Sequence, residues 1–284
     1  MPRLSTEPIN ASDIRDFCES ESDFSFELQT LALLNELGVS CEHGGVYEDP
    51  ITQKARQYDI RGLLQVNQIN RVRLAIECKN IRPNFPLVVF TVPRSKEESY
   101  HEFISTSEPQ KDKLCLPSAH FSRNGVSIRQ KMSASMYPSF EPVGKSCSQV
   151  GRDQQSTTLK GSDSDAYDKW WQAIQSAHDL VDMAENDWKL GRQRISNTLI
   201  LPTLVVPNGR LWVVHHKSDG SIEGVPVLTD RASLYVDKFV PSSNKFSGIG
   251  TWISHIEIVT HAGLTELVSS FGGASPRISP FVGY

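Results

Sequence analysis

No CxxC pair occurs in this chain, and its five cysteines (Cys18, Cys41, Cys78, Cys115 and Cys147) are scattered and odd in number. That leaves no basis for a disulfide framework or a structural zinc site, and it fits reduced thiols in a cytoplasmic protein. No run approaches the ~20 apolar residues that a membrane helix needs, so no membrane partner is expected. The opening stretch, MPRLSTEPINASDIRDF, has no apolar core, so no secretion signal is expected. A basic excess is missing too: the net charge is −4, and the chain as a whole carries no footprint for a polyanion. Neither an internal repeat nor a clean linker divides residues 1–284, which reads as one domain.

What is present is a chain able to bury a core, with 38% hydrophobic residues, and an uneven charge distribution. Residues 1–49 hold eleven acids against two bases, whereas residues 51–82 hold seven bases against two acids. A local basic surface can attract a polyanion even on an acidic protein. An ordinary solvated strand face explains the same charges equally well.

Periodicity predicts a helix from about Ser22 to Leu37, stopped by Gly38, with Phe24, Leu28, Leu31, Leu34 and Asn35 on one side. Glu27 falls on that same side, and a carboxylate facing a core needs a partner or a metal. Strands are predicted at Val39–Tyr47, Arg56–Val66, around Val72–Lys79 and at Leu87–Val92. The interval 93–161 shows little periodicity and reads as an irregular insertion of short elements and loops. A helix at about Ser162–Asp187 follows, with Tyr167, Trp171, Ile174, His178 and Val181 along one face. His178 on that stripe reads as a satisfied core histidine. Beyond it, Asn197–Val206, Leu211–His216 and Ile222–Leu228 suggest a β-meander, then a strand at Trp252–Thr260 and a helix at Ala262–Phe271. The fold class expected is α/β, with a mixed central sheet flanked by helices and a β-rich C-terminal part.

The chemistry concentrates on two strands. Residues two apart on a strand share a face, so Glu77 and Lys79 project together, and Asp59 projects from the polar face of the preceding strand. If the strands pair, Asp59 and Glu77 become cross-strand neighbours. Two hard carboxylates open to water suit Mg²⁺ or Mn²⁺, with Asp59 and Glu77 as metal ligands. Lys79 would then orient water or offset developing negative charge. A solvated ion pair between Glu77 and Lys79 accounts for the triplet as well, and a chance triplet in an unrelated α/β protein would leave Asp59 and Glu77 apart.

The segment CEHGGVYEDPITQKARQYDIRG, followed by RVRLAIECKN, resembles the core of the PD-(D/E)xK, or restriction-endonuclease-like, nuclease superfamily. The resemblance covers roughly residues 22–92. It implies a restriction-endonuclease-like sheet and a Mg²⁺- or Mn²⁺-dependent nuclease, with Asp59 as the motif Asp, Glu77 as the motif acid and Lys79 as the motif Lys. Glu27 matches the accessory first-helix Glu of the Holliday-junction-resolvase and Mrr-like branches. Gln57 and Tyr58 depart from the pattern, standing where many relatives carry Glu and Pro. DNA ahead of RNA is the substrate implied, in restriction, phage defence or repair, with a homodimer or a defence complex as the assembly. Lys54, Arg56, Arg61 and Arg73 are the expected phosphate contacts, and Tyr167, Gln172 or Gln175 on the later helix would touch substrate. The competing class is a non-catalytic, nuclease-like module that binds nucleic acid or protein.

Overall fold

The computed structural model describes residues 6–49, 52–108, 119–122, 125–131, 136–138, 140–153, 157–162, 164–241 and 250–272, with the side chains of 119–122, 125–131 and 164–168 excepted. Two helices, α1 (Ala11–Ser20) and α2 (Asp23–Glu36), precede the strands β1 (Ser40–His43), β2 (Val46–Glu48), β3 (Ala55–Gln57), β4 (Ile60–Gln65), β5 (Asn70–Cys78) and β6 (Leu87–Val92). The interval expected to be irregular supplies β7 (Glu102–Ser107), β8 (Ala119–Ser122), β9 (Gly125–Lys131), β10 (Val143–Arg152) and β11 (Leu159–Ser162). Then follow α3 (Ser164–Ala184), β12 (Ile195–Val205), β13 (Leu211–His216), β14 (Ile222–Leu228), β15 (Arg231–Pro241), β16 (Gly250–Val259) and α4 (His261–Gly272). Among the described residues no helix is long and apolar enough to cross a membrane.

The result is an α/β architecture with one large mixed sheet, whose main path runs β1-β4-β5-β12-β16-β15-β10-β6-β13-β14. β4 and β5 pair antiparallel, and β5–β12 and β12–β16 pair parallel. β12 is therefore not the first strand of a meander. It lies between β5 and β16, and β13 instead pairs with β6 and β14. All but its first residue is buried, the signature of a parallel strand covered on both faces.

β5 shows how the faces are divided. Leu74, Ile76 and Cys78 pack with α2 and α4, through Phe26, Leu34, Leu264 and Leu267. Ala75 points the other way, into Ile174, Ala177, Leu180 and Val181 of α3. His178 is buried in that face, as expected, and burial lowers its pKa below the ordinary histidine value.

The buried side of α2 is not the one periodicity suggested. Phe24 and Leu28 are 58% and 43% exposed, while Phe26, Thr30 and Leu34 are buried. The cause is tertiary: Phe26 stacks on His261 of α4 at 4.7 Å, and the Thr30 hydroxyl lies 2.8 Å from the same ring. α1 was not foreseen. It is capped by a reciprocal Asn10–Asp13 box and buries no residue, so it leaves no core stripe in the sequence.

Candidate active site

The long hairpin that carries Asp59 is broken twice. Its outer arm stops at Gly44-Gly45 and its inner arm at Tyr58-Asp59. Gly45 makes room there for the Tyr58 side chain, whose hydroxyl would lie 2.1 Å from a Cβ at this position. The Asp59 carbonyl accepts from Gly44 N–H at 2.9 Å, and its side chain turns to β5, where Oδ2 accepts from Cys78 N–H at 2.8 Å. Register does the rest: Ile60 stands opposite Ile76, so Asp59 comes level with Glu77 at the end of the strand pair.

Glu77 is completely buried. Its carboxyl lies in contact with that of Asp59, and both reach the ammonium of Lys169 on α3. Nζ is 3.0 Å from Asp59 Oδ2 and 3.3 Å from Glu77 Oε2. Glu77 Oε1 is buried, and among the described residues no N–H or O–H donates to it. Burial, and then the negative charge of Asp59, hold the Glu77 carboxyl well above the ordinary range, with Lys169 opposing them. At Lys169 burial works against the charge, but Glu77 and Asp59 outweigh it and keep the ammonium charged.

Glu27 stands at the rim of this group. Its Oε2 is 3.2 Å from His43 Nε2. Burial and then the charge of Asp59 raise its pKa, while His43 and Lys169 pull it down. The structure thus brings Asp59, Glu77 and Glu27 into one electrostatic neighbourhood, with two of them in contact.

Lys79 is placed differently from the expectation. β5 ends at Cys78, and the Lys79 side chain turns to α2, where Nζ lies 3.7 Å from Asp23 Oδ2. The cation on the two carboxylates is Lys169, which reading the strands alone could not supply. A faint signal for it exists: Lys169 heads a line of small and apolar positions on α3 (Ala173, Ser176, Leu180) that are all buried. A single cation at the end of such a line asks for a buried anion.

The expected phosphate contacts divide. Arg61 is buried, pairs with Asp179 at 3.0 Å and lies 3.9 Å above the Tyr58 ring. Arg73 clasps Asp187 with two bonds of 2.5 and 2.9 Å. Both are therefore engaged inside the protein rather than offered to a ligand. Arg56 is partly exposed and pairs with Asp49 at 2.6 Å, and Lys54 is exposed. On α3, Gln172 donates to the Gln57 carbonyl at 2.7 Å, Gln175 is buried, and the Tyr167 side chain lies outside the described residues.

Among the described residues no cluster of three or more His, Cys, Asp or Glu side chains forms a ready-made metal cage. Mg²⁺ does not need one, since it binds through one or two carboxylates and keeps several waters. Asp59 and Glu77 supply the two carboxylates, but they are buried rather than open to water as the strand pattern suggested, and the Lys169 ammonium stands beside both, so a hydrated ion binds there only by displacing it. No protein-family model, curated protein or solved structure matches this chain.

Proposed function

We propose that this protein is a metal-dependent hydrolase of nucleic-acid phosphodiesters, DNA ahead of RNA, with Asp59 and Glu77 holding Mg²⁺ or Mn²⁺. The observation that carries this reading is the buried Glu77: among the described residues no N–H or O–H reaches its Oε1, while the carboxyl adjoins that of Asp59 and the two converge on one ammonium. A solvated surface pair gives no reason to bury a carboxylate completely, which is costly without compensation. When bound, the metal would supply a nucleophilic hydroxide and polarise the phosphoryl oxygen.

The residues of the chain do the remainder. Asp59 is oriented by the Cys78 amide, and Glu77 is oriented by its strand. Lys169 offsets negative charge gathering on the phosphate, the role expected of Lys79. Glu27, tied to His43, adjusts the charge at the rim. The order helix acid, hairpin Asp, strand Glu follows the restriction-endonuclease-like pattern, with the cation coming from a later helix. Restriction, phage defence or repair, alone as a homodimer or within a larger defence complex, is the setting in which such an activity fits.

One observation favours a second reading. Lys169 already touches both carboxylates, so the three groups form an ion triad that can fasten α3 to the sheet with no metal, as a non-catalytic module would require. Cleavage of plasmid and oligonucleotide with Mg²⁺ or Mn²⁺, wild type beside Asp59→Ala and Lys169→Ala, separates the two. Cutting that disappears in both variants supports the hydrolase. Equal residual cutting in all three, or none in the wild type, leaves the triad as a structural clasp.

A further inference from the structure

Arg61 and Arg73 are engaged internally, so exposed positive charge must be sought elsewhere, and the structure gathers it beside the N-terminal end of α3. A cavity of about 410 Å³ opens there, lined by Arg82, Phe85, Gly151, Arg152, Asp153 and Lys160 among others. Arg82 and Phe85 are the two ends of a tight turn closed by Phe85 N–H to the Arg82 carbonyl at 3.0 Å. Pro83 in the second position suits such a turn. The turn is pinned to β10 by Gln149 Nε2 to the Phe85 carbonyl at 3.2 Å and by Val150 N–H to the Pro86 carbonyl at 3.0 Å.

The aromatic ring is placed by a missing side chain. A Cβ on Gly151 would sit 2.6 Å from a Phe85 ring carbon, so glycine lets the ring lie against β10 while it lines the cavity. Around the ring stand three cations and two carboxylates, Asp153 in the lining and Glu21 paired to Arg82. Arg82 is ion-paired with Glu21 and Lys160 with Asp153 at 2.5 Å, but unlike Arg61 and Arg73 both side chains are well exposed, 64% and 69%, so a phosphate can share or displace these surface pairs. Arg152 is exposed and donates to the Thr157 carbonyl at 2.8 Å.

We infer that this cavity is a subsite for an unpaired nucleotide, taking a base on Phe85 and its flanking phosphates on Arg82, Arg152 and Lys160. An aromatic ring interleaved with cations is the chemistry that holds single strands, because every base has a stackable face and every phosphate a charge. A base inside a duplex cannot reach such a ring without leaving its stack. The cavity adjoins the start of the helix that brings the cation to the carboxylate pair: Ser162 lines it, α3 starts two residues later at Ser164, and Lys169 lies five residues into the helix. At 1.5 Å per residue that is about 7.5 Å along the axis. The substrate class is therefore a single strand, or a single-stranded flap, running from this cavity to Asp59 and Glu77. That last step rests on the hydrolase reading, whereas the binding itself does not.

The test is anisotropy titration of the full chain in EDTA, where no turnover occurs, with a fluorescent twelve-nucleotide oligo-dT and a blunt duplex of equal length. The single strand is expected to bind at least tenfold more tightly than the duplex. Phe85→Leu, which keeps an apolar side chain against Gly151, should weaken it about fivefold or more. The paired change Arg152→Ala with Lys160→Ala alters exposed side chains and should lower the slope of log affinity against log salt by roughly 1.4. Unchanged melting temperatures show that the fold is intact. Wild-type binding that is undetectable, or that is the same in both variants, overturns the subsite. Duplex bound as tightly as oligo-dT overturns the strand preference. If the binding behaves as expected but the wild type never cuts with Mg²⁺ or Mn²⁺, the hydrolase reading falls and the subsite stands.

Discussion

Lys169 and Glu77 are 92 residues apart in the chain and 3.3 Å apart in the fold. Their contact, with Asp59 at 3.0 Å from the same ammonium, fastens α3 across β5 and gives the two carboxylates their only neighbouring cation within ion-pair distance among the described residues.

Two lysines compete for the assisting role, and substitution separates them. Lys169→Ala is expected to lower the cleavage rate by ~10²-fold or more, the size of effect seen when one charge-stabilising donor is lost. Lys79→Ala, which gives up only the 3.7 Å pair with Asp23, should stay close to wild type. Rates per folded molecule, with folded fraction taken from circular dichroism, decide it. The reverse ranking would restore Lys79 to the role its strand position suggested.

Glu77→Gln should make the protein more stable and inactive at once. Burial and Asp59 raise the Glu77 pKa above its unfolded value of 4.5, so the folded state holds the proton more tightly. Stability from this group is fully present below the unfolded pKa and is lost as pH rises through the folded value. Gln copies the protonated form, so its melting temperature should exceed the wild type's at pH 8 and match it near pH 4. A Gln variant that melts lower at pH 8 would contradict the assignment.

A divalent cation that binds only the folded state should raise the melting temperature. At a hundred times its dissociation constant the gain is about 2.7 kcal/mol. Mn²⁺ titration followed by thermal melting should show this shift in the wild type at pH 8 and not in Asp59→Asn. The shift should shrink as pH falls, because protonated Glu77 is a poorer ligand. Equal shifts in both proteins would place the ion elsewhere.

Arg73→Met tests a correction. The guanidinium clasps Asp187, which is buried and also accepts from Thr198 at 2.8 Å. Removing it strands a buried carboxylate, at a cost of about 3–5 kcal/mol in a urea melt. Oligonucleotide affinity of the folded protein should not change. Lys54→Ala, an exposed side chain, should leave stability within about 0.5 kcal/mol of wild type.

Much of the site was legible because strand parity is local. A period of two puts Glu77 on the α3 side of β5, and antiparallel pairing through the turn at 67–70 brings Asp59, just ahead of β4, level with it. The α/β class followed for the same reason, from helical and alternating patterns within single segments. Other features had no local trace. The face that α2 buries depended on His261, a residue 231 positions from its contact Thr30. The place of β12 depended on which long buried strand could pair parallel with β5. Arg61 and Arg73 looked like ligands for a polyanion until Asp179 and Asp187 arrived from the α3 region to claim them.

The sequence by itself determined which face of its strand Glu77 takes, since alternation needs nothing beyond neighbouring residues, and the register of β4 on β5 then brought Asp59 level with it. Only the tertiary structure decided which cation would meet them. Lys79 is two residues from Glu77, but the strand ends between them and its side chain turns to Asp23. Lys169 arrives because packing α3 on Ala75 and Ile200 carries its first turns over the pair. A buried charge takes its partner from whatever the packing brings within about 4 Å, and sequence distance has no part in that choice.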